Sequence, residues 1–246
     1  MTPSAPNLSS RPDRPRISCV VPALNERDNL SLLLPALAEL LQKIASAWEI
    51  IVVDDGSTDD TPALLAEHAK SPGFRYVQFS RNFGKEAALT AGLEAAEGEV
   101  VICLDADLQH PIALIPDMLA RWRAGVDTVY AVRKNRDDER WLKRLGSSMF
   151  YRIMGQGNRV RIPPNAGDFR LMDRQVVDAL LQLPERTRFM KGLYAWVGFK
   201  GEPILYVPAE RLHGQTNFSL LRLASFAVDG ITAFSTWPLR CDMSAE

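Results

Sequence analysis

Several features that would settle the class of this chain at once are missing from it. No stretch reaches the roughly 18 consecutive apolar residues that a spanning helix needs, so no membrane crossing is expected within the 246 residues. The first sixteen, MTPSAPNLSSRPDRPR, lack an apolar centre, which argues against a secretory leader and for a disordered lead-in. There are only three cysteines, Cys19, Cys103 and Cys241, far apart and with the first two inside apolar runs. Neither a disulfide framework nor a zinc site is indicated, and a reducing cytoplasm fits. Charge of one sign is absent too: 29 Lys+Arg face 30 Asp+Glu, leaving no overall field to draw in nucleic acid. Neither G-x-G-x-x-G after the first strand nor G-x-x-x-x-G-K-[ST] occurs, which removes the usual dinucleotide and P-loop fingerprints.

What is present is ordinary globular material, 46% hydrophobic and 24% charged, enough for one catalytic domain with appendages. Short β-branched runs alternate with helical periods. ISCVV, EIIVV, FRYVQF, EVVICL and DTVYAV read as strands, separated by helices within 28–46, from DDTP onward, over 85–96 and over 111–124. Repeated β-α of this kind predicts an α/β fold, a mainly parallel sheet flanked by helices. Asp59 or Asp60 followed by Pro62 makes a helix start, and Pro35 is expected to kink or split the first helix. Beyond Arg133 the alternation stops. A basic stretch with Trp141, Phe150 and Tyr151 reads equally as a helix covering the sheet or as one facing lipid or phosphate. After DFRLM come two helical stretches and the strand PILYVP. A last amphipathic helix carrying Leu220, Leu223, Ala227, Ile231 and Phe234 either caps the domain, meets a second subunit or lies in a membrane interface.

Ligands of parallel α/β sheets bind beyond the carboxyl ends of the strands, so the polar residues ending each run matter most. They place Asn25, Glu26, Asp54, Asp55, Arg81, Lys85, Asp105, Asp107 and Gln109 along one edge. Acids and bases together suit a charged ligand with a metal. Asp105 and Asp107 are two apart and project to one side of an extended chain, and carboxylates with the Gln109 carbonyl are the hard ligands that Mg²⁺ or Mn²⁺ takes. The competing readings are that Asp107 caps the next helix and that Asp54 and Asp55 form only a turn. With no glycine-rich cradle, phosphates would be held by the metal with Arg and Lys. His110 and His213 receive no assigned role, although His110 stands next to the proposed metal shell.

VPALNERDNL, VDDGSTDDT, RNFGKEAALTAG, LDADLQHP, AGDFRLMDR, ERLHGQTNF and FSTWPLR, in this order from about Ile17 to Arg240, resemble the polyprenyl-phosphate glycosyltransferases, the group of dolichyl-phosphate mannose synthases and bacterial undecaprenyl-phosphate sugar transferases. The resemblance implies a GT-A fold over 17–212, with a phosphate-closing segment and juxtamembrane amphipathic helix over 213–246. It also implies an inverting transfer from a UDP- or GDP-sugar to a polyprenyl phosphate. Pro22, Asn25, Glu26 and Asp54 match residues around the nucleoside. Asp105, Asp107 and Gln109 match the site of Mg²⁺ or Mn²⁺ and the diphosphate, Asp168 matches the acid beside the reacting centre, and Arg211 the Arg that closes over the phosphates. Where relatives commonly carry Ser-Lys, this chain has Thr216 and Asn217, which removes one cationic contact.

The leaving nucleoside diphosphate gains negative charge, which a divalent ion, Arg211 and in part Lys85 or Arg133 would stabilise. A phosphate monoester acceptor, with a second pKa of about 6, needs no strong base, so Asp168 is expected to orient rather than deprotonate. The alternative for Asp168 is an ion pair with Arg170 that braces the loop. Such an enzyme would work at the inner face of the membrane, peripheral or anchored. Three other functions stay open: a transferase with another acceptor, a non-catalytic nucleotide-sugar-binding protein and a membrane adaptor. A processive polysaccharide synthase is disfavoured by the absence of Q-x-x-R-W.

Overall fold

The computed structural model describes residues 11–134, 166–185 and 188–207. In chain order these form β1 (Arg16–Ala23), α1 (Arg27–Ile44), β2 (Ala47–Asp54), α2 (Thr61–His68), β3 (Phe74–Gln78), α3 (Lys85–Ala95) and β4 (Val100–Cys103). A 3-10 turn at Ile112–Leu114 leads into α4 (Ile115–Arg123) and β5 (Thr128–Arg133). Then follow β6 (Ala166–Asp173), α5 (Arg174–Leu181), α6 (Met190–Trp196) and β7 (Gly201–Tyr206). The seven strands make one sheet in the order β3-β2-β1-β4-β6-β5-β7. All neighbours run parallel except β6, which lies antiparallel to both β4 and β5.

The central strands are continuous apolar runs because helices cover both of their faces. On one side Ile17, Cys19, Val21, Ile50, Val52 and Ile102 meet the α1 stripe Leu30, Leu33, Leu34, Leu37 and Leu41, together with Met118, Leu119 and Trp122 of α4. On the other, Val20, Ile51, Val53, Val101 and Cys103 meet Leu89 and Leu93 of α3, Val176, Val177 and Leu180 of α5 and Leu193 of α6. Helix α3 approaches β1 through Gly92, where a Cβ would stand 2.2 Å from Val20 Cγ1, so any side chain there would push the helix off the sheet.

Three expectations need correction or refinement. Helix α1 is not split: it runs unbroken through Pro35, which lies on the exposed face, where water can serve the carbonyl that proline leaves unpaired. The lead-in expected to run to residue 16 is held at its end. Arg11 bonds the Trp122 and Val126 carbonyls and pairs with Asp127, and Arg14 bonds the Gln42 and Ala45 carbonyls. At α2 the two aspartates divide the cap, with Asp60 in the N-cap position and the Asp59 carboxylate accepting from the Thr61 amide at 3.0 Å. The basic aromatic stretch after Arg133 and the C-terminal amphipathic helix lie outside the described residues. Among those described, no helix is long and apolar enough to cross a membrane.

Candidate active site

Strands β1, β2 and β4 all end at one edge of the sheet, and β6 begins there because it runs the other way. In register, Ala23 pairs with Asp54 and Cys103 with Arg170. Continuing the β4–β6 register two residues outward sets Asp105 opposite Asp168. Residues 63 apart in sequence therefore meet through the strand reversal.

The loops after β1 and β2 are latched to one another. Asn25 takes a left-handed conformation, φ 56, which Asn tolerates better than most residues. Its amide donates to Ser57 Oγ at 2.8 Å and its Oδ1 accepts from the Thr58 amide at 2.8 Å. Glu26 stands at the N-cap position of α1; its amide donates to Thr61 Oγ1, and its Oε2 accepts from Asn29 Nδ2 at 2.6 Å. Asp54 is fully buried, accepting from the Ser57 amide at 2.9 Å and from the Tyr76 hydroxyl at 3.3 Å. Burial and that carboxylate push the Tyr76 phenol up to about 12. Asp55 reaches across to the next loop and accepts from the Phe83 amide at 2.6 Å and the Gly84 amide at 2.9 Å. Gly56, φ 77, permits this approach, since a Cβ there would lie 2.6 Å from the Arg81 carbonyl carbon. Pro22 is half-buried within β1, opposite Val53.

The second group is built on α3, β4 and β6. Asp55 fixes the start of α3, and from its first residue Lys85 places Nζ 2.6 Å from Asp105 Oδ1 and 2.6 Å from Asp168 Oδ2. Lys85 is thus the partner of Asp168. Arg170 instead stacks its buried guanidinium 3.4 Å over the Tyr194 ring and donates to the Gly167 carbonyl. Burial alone would raise the Asp168 carboxyl, but Lys85 with Lys191 and Arg170 behind it outweighs that and holds it well below the usual carboxylate range. The two carboxylates in turn hold the Lys85 ammonium charged against its own desolvation. Next to it Glu86 accepts from the Met190 amide at 3.1 Å, tying α3 to α6, and burial together with Asp168 raises its carboxyl to about 7.

After β4 the chain turns through Leu108 at φ 58, a strained conformation for a leucine. The turn places one atom each of Asp105, Asp107 and His110 within 4.8 Å of one another, close enough for a shared cation. Asp107 Oδ1 accepts from the Gln109 amide at 3.2 Å, while Pro111 holds the N-cap position of the 3-10 turn, so Asp107 shapes the loop rather than capping the helix. His110 is 9% exposed and tilted against Phe169, with ring centroids 5.1 Å apart. Burial lowers its pKa, against the opposing pull of Asp105 and Asp107. Arg133 ends β5, exposed and paired in register with Tyr206. Arg211 lies outside the described residues.

Sequence reasoning did not assign Glu86, Tyr76 or Tyr194, and left His110 without a role. Nothing in GKEAAL or in a lone histidine announces these contacts. The one available sign was position, since Glu86 adjoins Lys85 and His110 adjoins Gln109.

Residues 18–181 match the family described as glycosyl transferase family 2. An uncharacterized glycosyltransferase of Synechocystis sp. is 48% identical over 225 residues, covering 91% of this chain and 71% of the relative. A bactoprenol glucosyl transferase of Shigella phage SfV is 42% identical over 226 residues, 92% of this chain and 74% of that one. Among solved structures, glucosyl-3-phosphoglycerate synthase from Mycobacterium tuberculosis, in complex with Mn²⁺, UDP and phosphoglyceric acid, superimposes with a TM-score of 0.62 at 22% identity. It covers 88% of this chain and 76% of the synthase, a likeness of fold that agrees with the GT-A expectation.

Proposed function

We propose that this chain, which belongs to glycosyl transferase family 2, moves a sugar from a nucleoside diphosphate to the phosphate of a polyprenol at a membrane surface. The observation that carries this reading is the meeting, on one sheet edge, of the Asp105, Asp107 and His110 cluster with the Lys85–Asp168 pair. The 42% identity to a bactoprenol glucosyl transferase supports the lipid acceptor.

The Asp105 and Asp107 carboxylates would hold a divalent ion of the Mg²⁺ or Mn²⁺ kind. When bound, such an ion supplies positive charge to the departing diphosphate. The remaining work falls to the chain. The latched loops carrying Asn25, Glu26, Asp54 and Asp55, beside Pro22, form the nucleoside wall, with Gln109 next to the metal ligands. Asp168, held ionised by Lys85, is a fixed acceptor that orients the sugar or the incoming phosphate and is a weak base. No strong base is required, because a phosphate monoester with a second pKa of about 6 is already largely ionised. Its oxygen bonds to the anomeric carbon as the bond from that carbon to the diphosphate breaks. The electron pair leaves with the nucleoside diphosphate, and attack from the far face inverts the centre. Arg133 and Arg211 add charge near the phosphates in this reading, over a catalytic unit spanning 17–212, with 213–246 closing the site at the membrane.

The test uses the full chain with radiolabelled UDP-glucose or GDP-mannose, Mn²⁺ or Mg²⁺, and vesicles with or without undecaprenyl phosphate. Label entering the organic phase only when the lipid phosphate is present is the expected result. Release of free sugar alone, or transfer only to a water-soluble phosphate such as 3-phosphoglycerate, would overturn it. Flotation with the same vesicles tests the membrane surface, and protein that stays at the bottom of the gradient removes that part.

A further inference from the structure

We infer that His110 is a nitrogen ligand of the metal site and that it biases the site toward Mn²⁺ over Mg²⁺. The inference rests on the metal site of the reading above. It adds a ligand of a different chemical kind, with a consequence for which ion the site prefers.

Three observations converge. The Nδ1 of His110 is buried and has no hydrogen-bond partner, although buried polar atoms nearly always find one. It faces Asp105 Oδ2 at 4.0 Å, too far for a hydrogen bond. That gap is close to the sum of two metal–ligand bonds of roughly 2.1 Å each, the separation that a shared ion would bridge. Finally, the ring is locked. It lies against Phe169 at 5.1 Å and meets Tyr206 edge-on at 5.6 Å, and a Cβ on Gly167 would come within 3.9 Å of Nε2. A histidine serving only the core would be expected to satisfy Nδ1 internally, whereas this one points it at the carboxylates. The opposite oxygen of Asp105 is taken by Lys85, which leaves Oδ2 toward the imidazole side.

Imidazole discriminates between ions. Mg²⁺ keeps oxygen ligands and water, while Mn²⁺ accepts nitrogen more readily and stands nearer the ions that imidazole suits. Removing the nitrogen should therefore weaken Mn²⁺ far more than Mg²⁺.

The experiment uses the full chain with UDP, comparing wild type with His110→Phe, which keeps an aromatic ring against Phe169 and Tyr206, and with His110→Gln, which offers an oxygen. Pulsed EPR of the Mn²⁺-loaded wild type is expected to show nitrogen hyperfine coupling that vanishes in both variants. In calorimetric titrations of His110→Phe, Mn²⁺ affinity should fall about tenfold or more and Mg²⁺ affinity by less than about twofold. Loaded wild type without nitrogen coupling, or coupling retained in the variants, overturns the ligand assignment, and equal loss of both ions overturns the selectivity. Should the variants fail to fold, the wild-type spectrum alone decides whether nitrogen is bound. A wild type that takes up neither ion with UDP overturns the metal reading itself, which is a separate failure from a metal site lacking nitrogen.

Discussion

At the end of β2, Asp54 and Asp55 turn their carboxylates inward, onto the amides of Ser57, Phe83 and Gly84 and the Tyr76 hydroxyl. Beyond β4, Asp105 and Asp107 face one another, His110 and the Lys85 ammonium. Both are acidic pairs on one sheet edge, yet the carboxylates of the first are spent on amides and a phenol while those of the second converge with His110. The difference follows from the neighbours. Loops meeting loops offer amide donors, which consume a carboxylate, whereas a left-handed turn at Leu108 keeps the side chains converging on one another.

Asp107→Asn is expected to reduce transfer on the order of 10²–10³-fold and to weaken metal-dependent nucleotide binding, since a charge would leave the proposed metal shell. Assays at limiting Mn²⁺ check it, and unchanged turnover would move Asp107 into the class of Asp54. Next in size, Asp168→Asn should lower turnover by about 10²-fold while donor affinity shifts by less than about threefold, the signature of a contact made in the transition state. Equal losses in both, measured by kinetics and nucleotide-sugar titration, would reassign Asp168 to donor binding or scaffolding.

At the other pair the expected effect is on stability. Asp55→Ala leaves two amides without their acceptor, and should cost about 1–3 kcal/mol in urea unfolding with only a few-fold loss of turnover. Unchanged stability with lost donor affinity would show that Asp55 meets the ligand instead. The smallest effect concerns Glu86, whose folded value of about 7 lies above its ordinary 4.5. Across that interval the folded chain keeps a proton that the unfolded chain has released, so this group's contribution to stability falls as pH rises and is level above it. Relative to Glu86→Gln, wild type should lose urea midpoint between about pH 5 and pH 7 in the absence of ligand. Parallel pH profiles would show that burial and Asp168 do not raise Glu86 as described.

Strands and helices were legible because burial on both faces writes itself as uninterrupted apolar runs, as in β2 and β4, and as the leucine spacing of α1. The acidic edge was legible for a similar reason, since strand ends mark one rim. Partners were not. Lys85 was expected among the phosphates, and its seat between Asp105 and Asp168 depends on β6 running backward beside β4, a pairing that no local pattern encodes. His110 was passed over because a single imidazole carries no periodicity, and only its unpaired Nδ1 distinguishes it. Pro35 misled because its effect depends on which side of the helix faces water.

Val132 of β5 is paired directly with Ala166 of β6, so the chain leaves the sheet after β5 and re-enters it beside the point of departure. The stretch between these two residues therefore begins and ends on neighbouring strands, at the rim that carries Asp168. Lengthening such an excursion adds only a logarithmic closure cost and leaves every strand in register. Changes of length or sequence between these two residues would leave the ends of β1, β2 and β4, and with them Asp54, Asp55 and Asp105, in place.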